Sequence, residues 1–412
     1  MLAVILVLAA LAARPGEAVT RLRVTCLVAS PPGAYLASWS PSGDRIAVAQ
    51  SVGPNTAFPV IAASGRSVVG GFQGPWDSPP VEIALSSSGQ LAFLKRTGEI
   101  DVELDNQQIV QAAPRTDPSV ASELGGWSPD GTRIVYTRGT YDTAVRGVRS
   151  TMFVFDTRDG ATSSIGPGST PSWSPDGDWI AFTDVSGTIG IGVPARELDV
   201  EHPDGSGRRT VVRDVALSSP TWSPDGTHLL FLWAIDVAPH VETIALDGSD
   251  RRDVVDAFGP AFWTPYGLIV DLPSEDYGPS VALVDPATGH ARPLSPVPFK
   301  RYGTGAVAVS PDGREVVYSI ASVEGERMFG MRVVTVDGTG DRSLLDCLGT
   351  GAPERIVGSR LADVVRAEAG NDVIDVWGGG VDTVFCGPGR DTVHADRRDR
   401  IARDCERVIR QR

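Results

Sequence analysis

Lysine is almost missing from this chain. Lys95 and Lys300 are the only two, so arginine supplies 35 of the 37 basic residues, against 51 acidic ones. At a net charge of −14 there is no basic excess to neutralise phosphates, which excludes nucleic acid as a partner. Charged residues make up only 21% and hydrophobic ones 42%, so a disordered chain is excluded and a sizeable core can form. No apolar run reaches the roughly 20 residues of a membrane-spanning helix. The twelve apolar residues from Leu2 to Ala13 come closest, and they have the length of a signal-peptide core. Gly16-Glu17-Ala18 supplies small residues for cleavage, so residues 1–18 are expected to be a signal peptide and the mature chain to be exported.

Motifs for chemistry are also scarce. Cys26, Cys347, Cys386 and Cys405 form no C-x-x-C pair, which removes support for a zinc site or thioredoxin-like chemistry. In an oxidising compartment they are expected as disulfides. Cys386 and Cys405 share one short segment and are the natural pair, which leaves Cys26 with Cys347, although four cysteines allow three pairings. No serine has glycine at both −2 and +2, so an α/β-hydrolase elbow is absent. There is no Walker loop and no dinucleotide fingerprint between a strand and a helix. The five histidines, His202, His228, His240, His290 and His394, are scattered and read as surface or turn residues.

Glycine (46) and proline (31) are plentiful, a turn-rich composition that rules out a helical bundle. They punctuate a repeat. Trp39-Ser40-Pro41-Ser42-Gly43 returns at Trp127, Trp173 and Trp222 as Trp-Ser-Pro-Asp-Gly, and at Val309 as Val-Ser-Pro-Asp-Gly. Weaker copies start at Leu85 and Trp263. The positions 39, 85, 127, 173, 222, 263 and 309 step by 46, 42, 46, 49, 41 and 46. Ser-Pro-Asp-Gly is a tight turn: proline presets φ, glycine fits the last position and serine accepts a local backbone hydrogen bond. The shared turn position makes Asp130, Asp176, Asp225 and Asp312 structural rather than catalytic. One tryptophan per copy is the pattern of a layer packed between units. Each turn is followed by an apolar run such as Ile134-Val135-Tyr136 or Ile180-Ala181-Phe182, which predicts a strand buried on both faces. Two further strands then complete a unit of four.

These residues resemble the TolB-type (WD40-like, PD40) propeller repeat over residues 26–347. The resemblance implies an all-β fold, a β-propeller of seven blades, with six the alternative because such propellers often have six. A ring must join its last unit to its first. Residues 21–28 are expected to add a strand to the last blade, bringing Cys26 beside Cys347 as a covalent clasp.

After Cys347 the period shortens, and residues 348–412 form a separate tail. Asp363, Asp372, Asp382 and Asp391 step by 9, 10 and 9, as do the aliphatic residues Ile356, Val365, Ile374, Val384 and Val393 with steps of 9, 9, 10 and 9. The glycine–aspartate segments here resemble degenerate RTX-type repeats, which implies a short β-roll. It also implies calcium held by Gly370, Asp372, Gly380, Asp382, Gly389 and Asp391. The tail has 11 acidic and 11 basic residues, so no acidic excess attracts a cation. The rival is a β-roll held by its disulfide alone. The arginines from Arg397 to Arg410 interleave with acids and are expected to form a solvated helix.

By fold analogy the chain is expected to be a monomeric, non-catalytic scaffold that binds a protein or a glycan at the cell envelope. Its acidic propeller, with 26 basic against 40 acidic residues over 1–347, suits a basic partner. The competing expectation is a propeller enzyme, a polysaccharide lyase or hydrolase with its site at the channel mouth.

Overall fold

The computed structural model describes residues 22–25 and 37–410 apart from short stretches, the longest being 63–67, 75–79, 115–121, 234–239, 274–279, 295–301 and 323–327. Residues 1–18 and Cys26 lie outside the described residues. Every described element is a β-strand. The chain divides into two compact units, residues 28–345 and, separately, residues 1–27 with 346–412.

Among the described residues the larger unit contains seven antiparallel sheets, each made from consecutive strands and each carrying one copy of the repeat. Blades two to seven run over 80–113, 122–167, 169–215, 217–256, 258–293 and 302–343, four strands apiece, and blade one over 37–74 has five. The first strands touch in cyclic order, and that of the seventh blade touches that of the first, so they form the innermost layer of a closed ring. The apolar triplets are the second strands. Leu91, Ala92, Phe93, Ile134, Ile180, Ala181, Phe182, Leu229, Phe231, Leu268, Val316 and Tyr318 are all 0% exposed. A strand with a sheet neighbour on each edge and a blade packed on each face has no solvent side, which is why these runs lack polar alternation.

The turns are built as their residues require. In the third blade the Ser128 hydroxyl donates to Asp130, while Arg133 N donates to Ser128 Oγ at 3.0 Å and Thr132 N to Asp130 Oδ1 at 3.1 Å. Equivalent hydroxyl bonds from Ser174 and Ser223 hold Asp176 and Asp225 below the usual carboxylate range. Gly177 has a φ of 76°, and a Cβ there would lie 3.4 Å from Pro129 Cδ of the preceding turn. At the closure the same relation holds: a Cβ on Gly43 would lie 3.6 Å from Pro311 Cδ.

The smaller unit is a two-sheet parallel coil. Glu354–Val357, Val373–Val376, Thr392–Ala395 and Arg407–Arg410 form one sheet. Cys347–Leu348, Val364–Arg366, Thr383–Phe385 and Arg400–Ile401 form the other, and successive strands alternate between the two. Two steps of about nine residues make one coil, as in Val373 opposite Thr392. Ile356, Val365, Ile374, Val384 and Val393, the aliphatic series of the sequence, are all 0% exposed and form its core. Cys386 and Cys405 are disulfide-bonded with Cα atoms 5.2 Å apart.

Two expectations are corrected here. Leu22–Thr25 does not join the last blade; it pairs in parallel with Glu354–Val357 and extends the tail's sheet. The last blade's own four strands are consecutive in the chain, whereas the first coil of the tail offers a parallel edge that this strand covers. The proposed Cys26–Cys347 bridge falls outside the described residues at Cys26; Cys347 begins a strand of the tail. The arginine-rich end is not a helix: Arg400 pairs with Thr383 and Arg407 with Thr392, so the ladder of the coil supplies the backbone hydrogen bonds a helix would have made.

Candidate functional site

First strands line the ring's axis, so their polar side chains are the ones a ligand in the channel meets. A cavity of about 350 Å³ is lined there by Glu82, Glu123, Gly125, Thr170, Ser172 and Pro220, drawn from blades two to five. Glu82 Oε2 accepts the N–H of Leu124 at 2.6 Å, and Glu123 Oε2 accepts the N–H of Thr170 at 2.7 Å. Each carboxylate therefore fastens its blade to the backbone of the next. Ser38 and Thr221 do the same by other chemistry: Leu85 N donates to Ser38 Oγ at 2.9 Å and Thr221 Oγ1 donates to the Ala261 carbonyl at 3.2 Å. Gly125 is needed for the close approach, since a Cβ there would lie 2.5 Å from the Pro171 carbonyl oxygen. Burial pushes Glu82 up to about 7; the Leu124 N–H pulls the other way and the Glu123 charge adds to the rise.

Glu82 and Glu123 were not among the sequence candidates. They sit three and four residues before Leu85 and Trp127, inside strands whose alternation looks ordinary, and only ring closure turns them toward one cavity.

The residues that were candidates lie elsewhere. His202 stacks on Trp179 at 3.9 Å, with Nδ1 2.8 Å from the Asp178 carbonyl. His240 faces Asp256 at 2.5 Å, His228 lies 3.8 Å from Asp250, and His394 pairs with Asp375 in the tail. None of these histidines lines the channel cavity. Among the described residues no group of three His, Cys, Asp or Glu side chains is placed to hold a metal ion.

In the tail the aspartates form two ladders on opposite sides of the coil. Asp382 Oδ1 accepts the N–H of Asp363 at 2.7 Å, and Asp399 Oδ1 accepts that of Asp382 at 3.0 Å. On the other side Asp391 Oδ1 accepts the N–H of Asp372 at 2.8 Å, and Glu406 accepts that of Asp391 at 2.8 Å. Asp372 and Asp391 thus share a ladder, while Asp382 belongs to the other. Gly370 and Gly389 form a parallel bridge so tight that a Cβ on Gly389 would lie 1.6 Å from the Gly370 carbonyl oxygen. Gly380 is outside the described residues. Asp382 Oδ2 and Asp391 Oδ2 are buried without a hydrogen-bond partner among the described residues. Burial raises both carboxyls, Asp382 to about 7.

No protein-family model matches this chain, and no curated protein matches it in sequence. Its fold is shared with solved structures. The propeller domain of the Trilobed protease from Pyrococcus furiosus, described as having an open velcro topology, aligns at a TM-score of 0.56 and 15% identity, over 77% of this chain and 97% of that one. An oligogalacturonate lyase in complex with manganese aligns at 0.53 and 13%, over 75% and 92%. TolB from Acinetobacter baumannii aligns at 0.41 and 15%, over 70% and 78%. The chain is an all-β protein with a β-propeller fold.

Proposed function

We propose that this chain is an exported, non-catalytic propeller that binds a protein or a glycan at the cell envelope. One observation carries the reading: the carboxylates of the channel cavity serve as clasps between blades, Glu82 on Leu124 N and Glu123 on Thr170 N. Side chains held in this way give a rigid, preorganised wall, which suits recognition. The Cys386–Cys405 disulfide supports an extracytoplasmic location, where such bonds persist. Calcium between the rungs of the tail belongs to this proposal. The orphan oxygens of Asp382 and Asp391 would each supply one ligand, and carbonyls of the glycine turns, with water, the remainder of the six to eight that this cation takes.

A second reading is favoured by the same cavity. A carboxyl raised to about 7 beside a second carboxylate has the properties of a general acid, as a polysaccharide lyase or hydrolase would need. One experiment separates the two. Purified protein is titrated calorimetrically with α-1,4-linked trigalacturonate, an acidic glycan, with and without manganese or calcium, and the mixtures are then analysed for shortened or unsaturated products. Saturable heat with intact sugar supports binding; product that disappears in Glu82→Gln establishes the enzyme instead. Calcium alone giving no heat and no change in melting removes the ion from the proposal.

A further inference from the structure

The sixth copy of the repeat departs from the others at its turn. In blades one, three, four, five and seven the residue at the tryptophan position pairs with one seven positions later, as Trp127 does with Ile134 and Val309 with Val316. In blade six Trp263 pairs with Leu268, five positions on. The two missing residues include the one whose carbonyl, in Thr132, Thr227 and Arg314, accepts an N–H from the next hairpin of its blade. The aspartate of the turn is replaced as well: Thr264-Pro265-Tyr266-Gly267 stands where Ser-Pro-Asp-Gly is usual.

A cavity of about 450 Å³ lies at this shortened turn, between blades six and seven. Leu283 and Val336 give it an apolar lining, and Tyr266, Arg292, Arg314, Thr335 and Asp337 are its polar side chains. Tyr266 is 47% exposed, one of the large aromatics on the surface among the described residues. Arg314 donates through Nε to the Tyr266 hydroxyl at 2.9 Å, and its Nε lies 3.9 Å from Asp312; its two terminal nitrogens make no hydrogen bond among the described residues. Arg292 gives one terminal nitrogen to the Val336 carbonyl, which leaves its Nε and the other terminal nitrogen without a partner there. Two guanidinium groups with unused donors therefore border one cavity, on a chain whose net charge is −14.

We propose that this groove binds an acidic sugar, with the carboxylate on Arg292 and Arg314 and the ring against Tyr266. Guanidinium forks match a carboxylate in charge and geometry. The exposed phenol ring and the apolar lining suit the C–H face of a sugar. Asp337 selects a polyhydroxy acid over a bare anion. Bonds from the hydroxyls of Thr335 and Thr339 hold it down to about 2, so it is ionised throughout the physiological range. There it accepts hydrogen bonds from sugar hydroxyls, which a simple anion such as acetate does not offer. This inference rests on the binding reading for its ligand class, and it locates the contact on the face between two blades rather than in the channel.

The test uses the full chain and α-1,4-linked trigalacturonate, with the neutral galactose trimer and acetate as controls. Wild type is expected to bind the acidic trimer and neither control. The double variant Arg292→Gln/Arg314→Gln is expected to lose at least about tenfold in affinity, equivalent to about 1.4 kcal/mol. Tyr266→Asp returns the aspartate of the repeat to the turn while adding a negative charge, and is expected to lose a similar factor. Unchanged melting of each variant shows that its fold is intact. No binding by wild type, or equal binding of the neutral trimer, overturns the proposal. Equal affinity in the double variant overturns it too, while leaving the binding reading standing; cleavage of the trimer by wild type defeats the binding reading, and the groove is then judged by whether the double variant weakens affinity for the substrate.

Discussion

Glu201 shows how one residue can depart from a repeat without disturbing it. It lies on the third strand of blade four opposite Ile180, a position occupied by Phe155, Ile244, Val284 and Val334 in blades three, five, six and seven. Blade two places Glu103 there. Glu201 is 1% exposed, and burial pushes it up to about 7, with Arg208 pulling the other way; burial alone raises Glu103 to about 7. The sign follows from linkage. A carboxyl whose folded pKa is raised holds its proton more tightly when folded, so its contribution to stability is complete below about 4.5 and is lost as pH rises through 7. Glu201→Gln keeps the shape of the protonated acid without the titration. Denaturant unfolding is expected to show wild type losing stability between pH 4.5 and 7 and the variant losing less, by on the order of 1–3 kcal/mol. Identical pH slopes in the two proteins would refute this. The sequence showed two glutamates in strands; it did not show that they occupy core positions, because that depends on which face of the blade the register turns inward.

At the scale of elements, the tryptophans do more than fill space between blades. The indole N–H of Trp127, Trp173 and Trp222 donates to the carbonyl of Ala84, Gly126 and Ser172, each on the first strand of the preceding blade, at 2.9, 3.3 and 3.0 Å. Trp39, at the junction of the first blade with the seventh, is 7% exposed, and its indole nitrogen has no partner among the described residues. The closing junction therefore lacks a bond that other junctions have. Trp173→Phe removes a hydrogen bond and orphans a carbonyl, while Trp39→Phe removes an unpaired donor. Both lose similar packing, so Trp173→Phe is expected to be the more destabilising by about 1 kcal/mol in equilibrium unfolding. A larger loss in Trp39→Phe would mean that its indole is bonded in solution. The layer of tryptophans was legible from one indole per copy; the bonding of each to the blade before it was not, since the acceptor lies about 45 residues away in the chain.

At the scale of the whole molecule, the ring closes by packing. All described strands of the seven blades come from residues 28–345, in unbroken order, and the N-terminal strand Leu22–Thr25 belongs to the tail's sheet. A chain of residues 28–345 alone is therefore expected to fold to the same all-β spectrum and to unfold in one cooperative transition, checked by circular dichroism and denaturant titration. Loss of cooperativity would show that the tail is needed to hold the ring. Period, turn chemistry and apolar runs determined from sequence alone that β units repeat, where their turns lie, which triplets are buried and which aliphatic residues fill the tail. These are local properties: a turn needs its four residues, and a strand needs its alternation or its lack of it. The tertiary structure alone decided the rest. It sent the N-terminal strand to the tail, made strands of the arginine-rich end, split the tail's aspartates between two ladders, and brought Glu82 to Glu123 and Arg292 to Arg314. Each of these joins residues from different repeats or different ends of the chain, and only the closed geometry of the ring and the coil determines which of them meet.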